Sequence, residues 1–224
     1  MNRVSVFVFL LSAVALTAWT VIHQPAAVTW KINCTENIAE YSVAKLGNPV
    51  IKVESGTASV AFNGVDDGLI IPAIGIKGWK QFTIEIKFKP DAGGPTAPRF
   101  MHFQDSANNR GTFELRLTQN KQWYLDAFLK NGATNKGLTL IDSTKLHPAD
   151  KWYWAAMTYD GTTMSSFVNG KKELEGEIDF PPMINGQTAL GVRLNKVSWF
   201  KGEIAEVRFH PVVLQPNKLQ RMLH

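Results

Sequence analysis

From about residue 55 onward the chain alternates apolar and polar side chains with period two, in short runs broken every 10–15 residues by Gly, Asn or Pro. A strand sends successive side chains to opposite faces, so each run describes a ribbon with one side for a core and one for water. The runs fall at 57–62, 69–71, 82–89, 100–104, 112–118, 122–129, 152–160, 164–168, 189–194 and 201–209. Many short strands with regular turns and almost no helical pattern predict an all-β fold, an antiparallel two-sheet sandwich. Asn169-Gly170 between two runs is a hairpin turn, and Tyr159-Asp160-Gly161 supplies turn chemistry at another reversal. One short helix is expected at the C-terminus, where Pro216 suits a first helical position and Leu219, Met222 and Leu223 form an apolar stripe. Residues 28–53 read as a first strand plus linker. The chain's 224 residues can bury one core, and 28–224 is read as one domain.

Ahead of that domain, Arg3 precedes an uncharged run from Val4 to Ile22. A positive start followed by an apolar stretch marks an export signal peptide or an N-terminal membrane anchor, assigned to residues 1–27. The run is also long enough to span a bilayer, which takes about 20 residues, so both readings stand beside a cleavage point near Ala26-Ala27. The expected location is extracytoplasmic: periplasmic, secreted or at the cell surface, with membrane contact only through this segment. Cys34 is the one cysteine, hence a free thiol, and Asn33-Cys34-Thr35 forms a glycosylation sequon. The 24 Lys plus Arg exceed the 19 Asp plus Glu by 5, or by 4 once Arg3 leaves with the leader. Lysines are scattered singly rather than clustered on one face, which excludes nucleic acid as a partner. The mild excess allows an acidic polysaccharide without requiring one.

Four stretches carry a resemblance. Ala61-Phe62-Asn63-Gly64-Val65-Asp66-Asp67-Gly68-Leu69-Ile70-Ile71-Pro72 runs strand, acidic turn, strand, and Phe82-Thr83-Ile84-Glu85-Ile86-Lys87-Phe88-Lys89-Pro90 is a long alternating strand. Lys151-Trp152-Tyr153-Trp154-Ala155-Ala156-Met157-Thr158-Tyr159-Asp160-Gly161 with Phe167-Val168-Asn169-Gly170 forms a hairpin. Phe200-Lys201-Gly202-Glu203-Ile204-Ala205-Glu206-Val207-Arg208-Phe209, with Leu214 and Leu219, closes the series. In this order, from about 57 to 220, they resemble the laminin G-like (LamG) domains of the concanavalin A-like lectin/glucanase superfamily. The resemblance implies a two-sheet jelly roll. Relatives with that fold include lectins, adhesion modules, accessory domains of glycosidases and β-glucanases, and fold alone does not choose among them.

Three sets of residues are candidates for a site. The first lies on two neighbouring strands, where Phe113, Leu115 and Leu117, and then Trp123, Leu125, Ala127 and Leu129, claim the core face. Glu114, Arg116, Tyr124, Asp126 and Phe128 are left to share the opposite face, and His102 joins them if 100–104 is the adjacent strand. A register with Arg116 opposite Asp126 is expected, because the alternative sets Glu114 against Asp126. His102, Glu114, Arg116, Tyr124 and Asp126 then read as a sugar-binding face, on which charged groups meet hydroxyls and a ring meets the pyranose. The second set is metal-binding: Asn63, Asp66 and Asp67 are oxygen ligands within one turn and suit calcium. No cofactor is expected, with calcium as the alternative, because the resemblance implies an acidic metal ligand where this chain has Ala205. The third set is Glu173, Glu175 and Glu177, which with Asp179 alternate as a glycosidase's acids do in the related β-glucanases. That run follows a hairpin turn and Lys171-Lys172, so solvated acids are the simpler reading, and no catalytic residue is assigned.

Trp152 and Trp154 share one face of their strand, opposite Tyr153, Ala155 and Met157, and both faces are apolar. The chain is thus read as an exported, non-catalytic carbohydrate-binding or adhesive module. Its expected partner is a glycan or polysaccharide, with a cell-surface protein as the alternative. A polysaccharide-cleaving hydrolase and a membrane-tethered structural or protein-interaction domain are the other readings.

Overall fold

In the computed structural model, which describes residues 26–54 and 56–222, the alternating runs become two antiparallel sheets of eight strands each. Arg3, the run from Val4 to Ile22, and Leu223 lie outside the described residues. The first sheet is ordered Lys171–Glu177, Thr163–Val168, Tyr153–Tyr159, Phe82–Pro90, Lys201–His210, Thr57–Asn63 and Val50–Glu54, with Val28–Lys31 also paired to Lys201–His210. The second is ordered Gly137–Ile141, Gln122–Lys130, Arg110–Leu117, Arg99–Asp105, Gly186–Leu190, Gly68–Ile71 and Ala44–Leu46, with His147–Pro148 paired to Gln122–Lys130. Every run read from the sequence finds its strand, and the largest boundary shift is at 189–194, where the strand is Gly186–Leu190. Residues 28–54 hold more than a strand and a linker: the short strands Asn37–Ile38, Tyr41–Ser42 and Ala44–Leu46 lie between Val28–Lys31 and Val50–Glu54.

Side chains alternate as the sequence requires. On Phe82–Pro90, Phe82, Ile84, Ile86 and Phe88 enter the core, and on Tyr153–Tyr159 the inward set is Tyr153, Ala155, Met157 and Tyr159. Phe88 and Phe100 stack between the sheets with ring centroids 4.2 Å apart at 10°. Trp123 meets Phe88 edge-on at 5.1 Å, and Tyr153 and Phe200 pack on the same ring. Trp154 faces away from this core, with the Arg208 guanidinium 5.0 Å from its ring, and Lys87 and Lys89 lie over Trp152. Asn169 and Gly170 take φ of 47° and 73°, the left-handed values a tight hairpin needs.

The C-terminal helix shrinks to one 3₁₀ turn, Pro216–Lys218. The chain on either side of it lies along the outer face of the first sheet, where backbone N–H groups bond to sheet side chains instead of continuing a helix. Leu214 N–H donates to Thr83 Oγ1 at 2.9 Å, Gln220 N–H to Glu85 Oε1 at 2.6 Å, and Met222 N–H to Asn169 Oδ1 at 3.3 Å. Leu219 is buried on Ala156 and Phe167, so one residue of the expected apolar stripe does reach the sheet.

The Phe88 ring touches four other aromatic side chains and is fully buried. Phe88→Ala is expected to lower unfolding stability by about 3–5 kcal/mol in denaturant titrations.

Candidate functional site

The outer face of the second sheet takes its form from how three strands pair. Arg110–Leu117 and Gln122–Lys130 place Glu114 opposite Asp126 and Arg116 opposite Tyr124. This corrects the expected register of Arg116 opposite Asp126. A cross-strand charge pair is worth about 0.2–1 kcal/mol, whereas each large side chain on the other face contributes about 1.5–3 kcal/mol when buried. On that core face Phe113 meets Ala127 and Gly111 meets Leu129, large against small. Packing therefore sets the register. Arg116 reaches Asp126 diagonally instead, with Nε donating to Oδ2 at 3.0 Å.

The neighbouring strand, Arg99–Asp105, carries an irregularity. Phe113 pairs with Met101 and the next residue, Glu114, with Arg99, so Phe100 is an extra residue in a β-bulge. Phe100 and Met101 both enter the core, and the bulge turns Arg99 to the face of His102 and Glu114. Arg99 Nε then lies 2.7 Å from Glu114 Oε1, and its Nη1 donates to Ser198 Oγ at 2.6 Å. Arg116 Nη2 is 3.5 Å from the other Glu114 oxygen. Two guanidiniums thus flank the two opposed carboxylates. Burial pushes the Glu114 carboxyl above its ordinary range; Arg99 opposes that, Asp126 adds to it, and Thr112 and Arg116 oppose it.

Above these strands lies a half-open cavity of about 310 Å³. Arg99, Arg110, Arg116 and Arg193 line it together with Glu114 and Asp126. Thr112, Thr139 and Phe128 complete the wall, and Arg110 lies 5.5 Å from the Phe128 ring centre. Of the residues read from the sequence as a sugar face, Glu114, Arg116 and Asp126 come together here. Tyr124 is half-buried opposite Arg116 and does not line the cavity. His102 is buried opposite Thr112 and does not line it either. Its Nδ1 accepts the Leu194 N–H at 3.0 Å, so the proton sits on Nε2, which has no hydrogen-bond partner. Burial first, then Arg193, Arg110 and Arg99, push the His102 pKa down to about 3.

Sequence reasoning missed Arg99, Arg110, Arg193 and Thr139. A strict alternation sends Arg99 to the core side, and only the bulge reverses it. Arg110 lies just ahead of the run as read, Thr139 belongs to an unread strand, and Arg193 follows the end of Gly186–Leu190.

The other candidates take other partners. Asn63 Oδ1 accepts the N–H groups of Val65 and Asp66 at 2.9 and 3.1 Å, and buried Asp67 accepts those of Asn48 and Asn63 at 2.7 and 3.0 Å. Asn63 Nδ2 donates to Asp66 Oδ1 at 2.7 Å. These bonds staple the turn between Thr57–Asn63 and Gly68–Ile71. Ala205 stands at a register shift between Ile204 and Glu206, and its side chain lines a separate concavity beside Glu206 and Lys31. Glu173, Glu175 and Glu177 diverge although they lie on one strand. Half-buried Glu173 lies 2.7 Å from His147 Nε2, Glu175 pairs with Lys172, and Glu177 is exposed.

With the fold and the cavity in place, the family model for the concanavalin A-like lectin/glucanases superfamily, laminin G type, matches residues 62–220. The chain belongs to this family. No curated protein sequence matches it. Among solved structures, domain 4 of the extracellular GH43 arabinanase AbnA from Geobacillus stearothermophilus, in complex with arabinotriose, is similar at a TM-score of 0.54 and 18% identity, covering 86% of this chain and 85% of that one. The binding domain of botulinum neurotoxin serotype G gives 0.61 at 8% identity, covering 85% and 48%. A mutant of the NanB sialidase from Streptococcus pneumoniae gives 0.55 at 16%, covering 74% and 27%. The chain spans about half the length of the toxin binding domains it matches. Identities this low show a shared jelly-roll fold.

The buried imidazole makes a pH prediction. Its folded-state pKa of about 3 lies below the ordinary 6.5, so the folded protein holds fewer protons on it between those values. Stability from this group is therefore complete above about pH 6.5 and is lost progressively as pH falls toward 3. His102→Asn keeps an acceptor for Leu194 N–H, and its unfolding free energy is expected to fall less steeply than the wild type between pH 6.5 and 4 in denaturant titrations.

Proposed function

We propose that the chain is an exported, non-catalytic carbohydrate-binding module whose ligand occupies the cavity on the outer face of the second sheet. The observation that carries this reading is the composition of the wall: Glu114 and Asp126 held by guanidiniums, with the Phe128 ring beside them. Carboxylates accept from sugar hydroxyls and guanidiniums donate to them; the Thr112 hydroxyl, which donates to Glu114 Oε1 at 2.9 Å, is left to accept, and the ring gives the apolar side of a pyranose a stacking surface. The cavity, about 310 Å³, is at the small end of ligand pockets, which run from about 300 to 1,000 Å³. It therefore suits a terminal sugar or a short stretch of chain.

Two likenesses support the reading. The arabinanase domain, matched over most of both chains, was solved with arabinotriose, and a botulinum neurotoxin D neighbour is a receptor-binding domain. Export is supported by Arg3 and the apolar run from Val4 to Ile22. The separate partners of Glu173, Glu175 and Glu177 favour binding over cleavage, since a glycosidase needs two carboxyls acting on one bond.

Glycan-array screening followed by isothermal titration on the 28–224 domain tests the proposal. Phe128→Ala is expected to weaken the best glycan at least about tenfold through lost stacking, while Tyr124→Ala, outside the cavity, leaves it within about twofold. Unchanged affinity in Phe128→Ala, or no binding to any glycan, would overturn it.

A further inference from the structure

The cavity carries more positive charge than its own carboxylates can neutralise. Four arginines line it against two carboxylates, Glu114 and Asp126. Arg99 and Arg116 are engaged with those two acids. Among the described residues, Arg110 and Arg193 pair with no carboxylate. Lys130 stands directly opposite Arg110 on the same face, where like charges repel. Burial above all keeps the His102 imidazole neutral, and Arg193, Arg110 and Arg99 add to that by disfavouring its protonation. Unpaired guanidiniums facing one concavity are an electrostatic cost to the empty protein that a bound anion removes, and a guanidinium fork matches the two oxygens of an oxyanion.

Resting on the carbohydrate-binding reading, we infer that the ligand is an acidic saccharide whose carboxylate or sulfate sits between Arg110 and Arg193. Glu114 and Thr112 then take the neutral hydroxyls of the same residue. One buried oxygen of Glu114, Oε2, lies 3.5 Å from Arg116 Nη2 but makes no hydrogen bond within the protein, which leaves it acceptor capacity for a sugar hydroxyl. The Arg99 and Arg116 guanidiniums keep that carboxylate in place rather than meeting the anion. Charge selection and hydroxyl recognition are therefore divided between different residues of one wall.

Matched saccharide pairs that differ in charge test this: oligogalacturonate against its methyl ester, sulfated against desulfated chondroitin oligosaccharide, and sialyllactose against lactose. Titrations in low and in physiological salt are expected to show the charged member of at least one pair binding about tenfold or more tightly, with an advantage that shrinks as salt rises. Arg110→Gln/Arg193→Gln is expected to abolish that advantage while retaining the wild-type melting temperature within a few degrees, since neither arginine supports Glu114 or Asp126. The pair that responds separates the carboxylate from the sulfate. Equal binding of charged and neutral members, tight binding of neutral glycans only, or a charge preference that survives in the double variant would each overturn the inference while the carbohydrate-binding reading stands. Failure of every saccharide, charged and neutral, would remove both. Should the double variant unfold, Arg193→Lys supplies the second measurement: it keeps the charge but loses the fork, and an undiminished affinity for the charged member would overturn oxyanion pairing by Arg193.

Discussion

Phe100 is where the two leaves of the sandwich lock, and its position decides what the outer surface looks like. Its ring stacks on Phe88 from the opposite sheet and contacts Phe113 and Phe200. To reach that place the chain inserts one extra residue into a strand, with Phe100 and Met101 both facing inward. The accommodation puts Arg99 on the outside, within reach of Glu114. A packing decision in the interior thereby installs a cation on the surface, and the pair of opposed carboxylates becomes tolerable because of it.

That coupling explains how two acids come to face each other across a ladder. Glu114 and Asp126 are nearly inaccessible to water, and each carboxylate is held by a guanidinium that remains partly solvated. Buried ion pairs of this kind add little net stability. They do hold polar atoms in fixed directions on a rigid β framework, and orientation of that kind is what recognition of a hydroxylated ligand needs. One edge of the sandwich shows the same chemistry used for architecture. His147 of the second sheet and Glu173 of the first join there at 2.7 Å, with Trp123 and Tyr153 packed on the imidazole.

Strands and reversals were legible because period two and left-handed turn residues are local properties of the chain. Asn169-Gly170 and the alternation on Phe82–Pro90 needed no tertiary information. The binding face was legible only in part. Alternation identified Glu114, Arg116 and Asp126 as neighbours, since both strands run regularly. It left out Arg99, just ahead of the run at 100–104, because the bulge that turns it outward has no signature in a single sequence. It left out Arg193, inside the run read as 189–194, because the strand ends at Leu190 and a residue beyond it owes its direction to the loop. Register escaped for a different reason. The charge pairing visible in the sequence is weaker than the fit of Phe113 over Ala127 and Leu129 over Gly111, and only the packed core reveals that fit. The C-terminal stripe misled in the same way: a periodic pattern of a few residues also suits a segment that simply lies flat on a sheet.

The way the chain's last described residues lie down on the first sheet has a directional meaning. Thr83, Glu85, Ala156 and Asn169, which point outward from that leaf, are occupied by the protein's own tail. Val28–Lys31, at the other end of the described chain, is stitched to the same leaf. Both ends of the described chain therefore belong to the back of the sandwich, whereas the arginine-lined hollow is cut into the front. A tether at either end would pull on the back and leave the front unobstructed, an arrangement that lets the molecule be attached to something behind it and still present its grip to whatever lies ahead.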